Sequence, residues 1–283
     1  SYALKSQVML KEYFDWLDAL FKRLKLPPNA AFDSIRTAAE IIDTRLRIND
    51  TMEAFFTASI QAAHESYLKT SADIVLSKEA EAFYGAVKRG DRGQAVRSVI
   101  ELNKNGMQVI DIYVNIFIPV QTLVGTLWHE GKITVAEEHY CTAVTQVALA
   151  NLYQFFFTGE KKKKKLIAAA VSGELHELPI RFLADVFEMH DWTTYYYGAS
   201  TPLSSLIHAI EEHKPSLICL SATMPFHVPE LAEYIRAIKE TCSIPVMAGG
   251  RPFSMDPELY KTVGADATAP NALVALETAK NLL

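Results

Sequence analysis

The chain has 283 residues, enough for about two domains at roughly 100–200 residues each. Hydrophobic residues make up 49% and charged residues 22%, an ordinary globular balance that supports buried cores. The net charge of −5 excludes a globally basic surface, so nucleic-acid binding would need a local patch.

Residues 6–158 read as helix after helix. Val8, Leu10, Tyr13, Phe14, Leu17, Leu20, Phe21 and Leu24 recur at steps of three and four, one apolar stripe. Leu26-Pro27-Pro28-Asn29 stops that helix. A second stretch carries Ile35, Ala38, Ile42 and Leu46, and a third carries Phe55, Phe56, Ile60, Ala63 and Tyr67. Two more flank the tight turn Arg89-Gly90-Asp91-Arg92. A long apolar helix then runs from about Met107 to Trp128, and a last one from about Val135 to Phe157. The run Lys161 to Lys165 is the only dense basic segment and reads as a solvated linker into a strand.

After it the period changes. Leu166 to Val171 is a short apolar run of the kind a buried parallel strand shows, and Trp192–Tyr197, Leu217–Leu220 and Ile244–Ala248 are further strand candidates. Amphipathic helices fall between them and after them, at about 179–190, 202–213, 228–240 and 271–282. Alternation of strand and helix predicts a doubly wound parallel sheet, so the class is α + α/β. Boundaries fall near residues 76 and 160, giving regions 1–75, 76–160 and 161–283.

Cys141, Cys219 and Cys242 have no short pairing pattern, which argues for a reducing compartment and against a thiolate metal site. No apolar run approaches the ~20 residues of a membrane span, and the N-terminus lacks a signal layout. The expectation is a soluble cytoplasmic protein with no membrane association.

Two segments carry chemistry. The first, Ser172-Gly-Glu-Leu-His-Glu-Leu-Pro179, follows the first strand, and ligands of doubly wound sheets bind at the carboxyl ends of strands. Glu174 and His176 are spaced so that a carboxylate holds one imidazole nitrogen while the other faces a metal. Ser221-Ala222-Thr223 follows the third strand and Gly249-Gly250 the fourth, small and hydroxyl residues that allow close approach of a ligand. The second segment runs from Trp128 to His139. Gly131 ends one helix, and Thr134 with Glu137 forms a capping box for the next. Glu138 and His139 have no such capping job, and two ionisable groups facing Trp128 are costly unless they touch a ligand or each other.

Glu174-x-His176, Ser221-x-Thr223 and Gly249-Gly250, in that order, resemble the corrinoid-binding domains of methionine synthases, mutases and corrinoid proteins, which carry Asp-or-Glu-x-His-x-x-Gly, Ser-x-Leu or Ser-x-Thr, and Gly-Gly. The resemblance implies a Rossmann-like cobalamin-binding domain. In it the cofactor's benzimidazole tail lies beside Ser221, Thr223, Gly249 and Gly250, and His176 takes its place under cobalt. One departure is Pro179, where the family has Gly; proline suits a first helical turn but stiffens the loop.

Trp128, nine residues, then Glu138-His139 resembles the signature of adenosylcobalamin photoreceptors. That resemblance implies a four-helix bundle over the upper corrin face, with Trp128, Glu138 and His139 about the adenosyl group. It also implies a regulatory light sensor rather than an enzyme. Residues 1–75 show no MerR-type DNA-binding pattern, so the expected output is through a homo-oligomer or a protein partner and not DNA. Likeness to photocobilins adds biliverdin as a second, non-covalent chromophore, with Tyr13, Phe14, Trp16, Phe21, Phe55, Phe56 and Tyr67 as aromatic material for it. The rival readings are a corrinoid carrier of a methyltransferase system and a cobalamin-responsive module without photochemistry.

Overall fold

The computed structural model describes residues 25–26, 37, 73–157 and 162–283. The expected helices of residues 1–72, and the aromatic residues proposed there for a bilin, lie outside the described residues. The chain divides into two compact units, a helical one ending by Thr158 and an α/β one from Gly159 to Leu283.

The helical unit contains α1 (Lys78–Lys88), α2 (Arg92–Lys104), α3 (Val109–Ile112), α4 (Ile118–His129) and α5 (Val135–Leu152). Ser77 caps α1 by accepting from the Ala80 amide at 3.1 Å, and Asp91 caps α2 through the Gln94 amide at 2.8 Å. Gly90 and Gly131 lie at φ +74° and +71°, the left-handed conformation that closes a helix, as the turn residues predicted. The capping box of α5 is present: the Thr134 hydroxyl accepts from the Glu137 amide at 3.2 Å, and the Glu137 carboxylate accepts from the Thr134 amide at 2.7 Å. Those bonds hold the Glu137 carboxyl below its ordinary range.

α3 and α4 join through a π turn at Tyr113–Phe117, closed by the Ile118 amide bonding to the Tyr113 carbonyl. Pro119 explains it. In an unbroken α-helix the Asn115 carbonyl would receive the amide of residue 119, which proline lacks. The Ser77 hydroxyl stands 3.4 Å from that carbonyl instead. The joined helix, Val109–His129, runs 21 residues at mean hydropathy 1.5, long and apolar enough by that measure to cross a membrane. The reading that no run approaches this length is corrected to that extent. Its buried stripe of Ile112, Tyr113, Ile116, Phe117, Val120 and Val124 packs it as a core helix of this unit, with Phe83 edge-on to Phe117 at 5.3 Å.

The α/β unit contains β1 (Lys164–Ala170), α6 (Leu178–Glu188), β2 (Trp192–Gly198), α7 (Leu203–His213), β3 (Leu217–Ser221), α8 (Val228–Thr241), β4 (Val246–Gly249), α9 (Arg251–Met255), α10 (Leu259–Thr262), β5 (Ala267–Thr268) and α11 (Ala272–Leu282). All strands are parallel in the order β2-β1-β3-β4-β5. β1 is buried on both faces, as its uninterrupted apolar run requires. Leu166, Ala168 and Ala170 meet Phe187 and Trp192 on one face, while Ile167, Ala169 and Val171 meet Leu231 and Ile235 on the other. Pro179 sits in the first turn of α6, so the departure from the family's glycine is absorbed by the helix start. The strand order reverses direction between β1 and β3, and in sheets of this kind ligands bind at the carboxyl edge beside such a switch point.

Candidate cobalamin site

Glu174 lies in the loop after β1, at this edge, and its side chain is 1% exposed. One carboxylate oxygen accepts from the His176 amide at 2.9 Å and lies 2.6 Å from His176 Nδ1. The other accepts from the amides of Thr223 and Met224 at 2.7 and 2.9 Å. One buried charge thus ties the loop after β1 to the loop after β3, across the switch point. Burial alone would raise its pKa. The bonds from the His176 ring and from the His176 and Met224 amides outweigh that and hold the carboxyl down to about 2 from an ordinary 4.5. An ionised Glu174 fixes the proton of the neutral imidazole on Nδ1 and so gives Nε2 the lone pair, on a ring whose side chain is 53% exposed.

That depression carries a pH dependence. The stabilisation from ionised Glu174 is fully present above pH about 4.5 and is lost as pH falls toward about 2, amounting to about 3 kcal/mol. Acid unfolding of the cofactor-free protein should therefore steepen across that interval, and Glu174→Gln should lower stability at neutral pH while flattening the acid limb. Parallel acid curves for the two proteins would refute the assignment.

The rest of the loop is held at its root. The Ser172 amide donates to Tyr234 Oη at 3.2 Å, the Gly173 amide to Ser200 Oγ at 3.0 Å, and the Ser200 amide to the Glu174 carbonyl at 2.9 Å. Ser221 ends β3 in register with Gly249, which ends β4. Gly250, at φ +113°, brings its Cα against the Ala222 carbonyl, where any Cβ would stand 2.2 Å from the oxygen. At Gly249, by contrast, a Cβ would meet nothing within 4 Å. The structure therefore gathers Glu174, His176, Ser221, Thr223, Gly249 and Gly250 along one edge of the sheet.

Three hydroxyl oxygens there, Ser221 Oγ, Thr223 Oγ1 and Thr268 Oγ1, are buried with no hydrogen-bond partner. Such orphans suit a polar ligand that enters the edge, and the residues fit a corrinoid with a nucleotide tail. Thr268, at the end of β5 and in register with Ala248, escaped the sequence reading because a two-residue strand leaves no periodic signal. Among the described residues no group of three His, Cys, Asp or Glu side chains is arranged to hold a metal ion.

In the helical unit, Trp128 is half-buried near the end of α4, and Glu138 and His139 lie in the first turn of α5. His139 Nδ1 pairs with the Glu138 carboxylate, whose other oxygen lies 3.1 Å from the Thr142 hydroxyl. The pair has partners within its own helix, so its presence requires no ligand.

Residues 164–277 match the B12 binding domain, and residues 79–153 match a second B12 binding domain family. The chain is 24% identical over 165 residues to dimethylamine corrinoid protein 1 of Methanosarcina acetivorans, covering 56% of this chain and 76% of the relative. It is also 24% identical over 165 residues to dimethylamine corrinoid protein 3 of Methanosarcina mazei, covering 56% and 98%. The monomethylamine corrinoid protein of Methanosarcina barkeri has the same fold at a TM-score of 0.65 and 18% identity, covering 73% of this chain and 99% of that one. These relatives overturn the light-sensor expectation: they are corrinoid proteins of methylamine systems, and the Glu138–His139 pairing removes the physical reason for reading that dipeptide as an adenosyl contact. Neither an adenosyl ligand nor biliverdin gains support. A B12 binding domain match over the helical region is thus followed by a second over the α/β region.

Proposed function

We propose that the protein is a corrinoid carrier of a methyltransferase system, loaded and unloaded by a partner methyltransferase. The observation that supports this best is the buried Glu174 holding His176 at the switch point of the sheet, in a chain whose relatives are methylamine corrinoid proteins. His176 binds cobalt through Nε2, and Glu174 fixes its tautomer and raises its basicity. Ser221, Thr223, Gly249 and Gly250 take the tail displaced from cobalt, joined by Thr268. The bound corrinoid supplies the cobalt that takes up and gives up a methyl group; the chain binds it, orients it and limits its contact with water. The three free thiols suit a reducing cytoplasm.

The test is methyl exchange in the dark. Protein loaded with cobalamin and reduced should take up close to one methyl group per corrinoid from a methylated amine when a methylamine methyltransferase is added, read by the corrinoid spectrum and by labelled methyl. No transfer in either direction, with the corrinoid retained and a known carrier active in the same assay, would defeat the proposal.

A further inference from the structure

One close neighbour of the His176 loop plays no part in the contacts above. Gly173 has φ +80°, and a Cβ there would stand 2.9 Å from Cε1 of His227 and 3.6 Å from its Nδ1. The His227 imidazole fills the space that a side chain at 173 would need. His227 is the last residue of the short turn Pro225–His227 after β3; its amide bonds to the Met224 carbonyl at 3.0 Å, and its ring tilts against Phe226 with centroids 4.5 Å apart. The loop after β3 therefore grips the His176 loop twice. The amides of Thr223 and Met224 hold Glu174 by charge-assisted hydrogen bonds, and the His227 ring holds Gly173 by shape. The first grip sets the distance between the loops at Glu174. The second sets the backbone three residues before the imidazole that faces the metal.

We infer that His227 is a positioning residue for the cobalt ligand: by packing into the side-chain space of position 173 it fixes the 173–176 backbone and hence how firmly His176 holds cobalt. The inference rests on the reading of His176 as that ligand. Its action is steric, so a flat ring of similar size should replace it.

The experiment uses the full chain loaded with cobalamin and reduced to the cobalt(II) state. The axial nitrogen is read from the splitting in the electron paramagnetic resonance spectrum, and corrinoid affinity is measured alongside. His227→Ala should lose most of the nitrogen-ligated signal and weaken corrinoid binding about tenfold, the scale seen when a residue supporting a metal ligand is removed. His227→Phe should restore both. Gly173→Ala should also weaken the nitrogen-ligated signal, since its methyl needs the space of the His227 ring and its φ of +80° adds strain of its own. Three controls separate the failures. A nitrogen splitting that is unchanged when the parent protein's histidines are labelled with nitrogen-15, and so comes from the corrinoid's own benzimidazole, overturns the ligand reading itself. A signal lost in His176→Ala but intact in His227→Ala overturns only the positioning role, as does a failure of His227→Phe to rescue.

Discussion

Replacing His176 with alanine is expected to give a protein that folds as before and holds its corrinoid without a nitrogen beneath cobalt. The side chain is half exposed and supports no core, so the unfolding temperature should stay within a few degrees of the parent's. The corrinoid spectrum should move from the nitrogen-ligated to the water-ligated form, and affinity should fall by about tenfold to a hundredfold, the range for weakened metal ligation. Glu174→Ala should produce the same spectral change with a large stability loss in addition. It leaves the amides of Thr223 and Met224 buried without their acceptor, at about 1–3 kcal/mol for each group. An unchanged spectrum and affinity in His176→Ala would remove His176 from the metal.

The neighbouring glycines should separate fold from ligand. In Gly250→Ala the new methyl carbon would stand 2.2 Å from the Ala222 carbonyl oxygen and 3.1 Å from the Thr223 amide nitrogen, both backbone atoms that no rotamer can move. The φ of +113° adds strain of its own. The ends of β3 and β4 must part, at a cost of about 3 kcal/mol or more and a fall in unfolding temperature of about 10 °C. Corrinoid binding should be lost with it. Gly249→Ala meets open space and should leave the unfolding temperature nearly unchanged, while a ligand lying against that strand end would meet the methyl, with binding weakened about tenfold. Equal stability losses at the two positions would show that the Gly250 contact does not govern the edge. An undiminished affinity in Gly249→Ala would move the tail elsewhere.

The strands β1, β3 and β4 were legible because buried parallel strands read as short apolar runs, and the edge strand β2 because Trp192–Tyr197 is a run of aromatic and β-branched residues; each observed strand begins or ends within two residues of its expected place. β5 was not, since Ala267–Thr268 lies between Gly264 and Pro270 with no room for a pattern, and the short helices Arg251–Met255 and Leu259–Thr262 escaped for the same reason. The π turn follows from Pro119, but one proline inside an apolar helix also permits a kink or a helix start. At the site, Glu174 and His176 could be paired from their spacing, whereas the bonds from Glu174 to Thr223 and Met224 join residues about fifty positions apart and leave no local trace. The light-sensor reading failed on a different ground: it rested on Trp128, Glu138 and His139, three side chains in one short segment, whereas the relatives matched over 165 residues are dimethylamine corrinoid proteins.

The grip on Glu174 has a consequence for how such a site can diverge. Both donors from the loop after β3 are main-chain amides, so the identities of residues 223 and 224 are irrelevant to the metal ligand unless one becomes proline. Thr223 then has two separable parts, its nitrogen supporting Glu174 and its hydroxyl buried without a hydrogen-bond partner. Substitution there changes the second without touching the first. A lineage built on this sheet edge is free to change the chemistry that faces a ligand's tail, one side chain at a time, while His176 stays where it is.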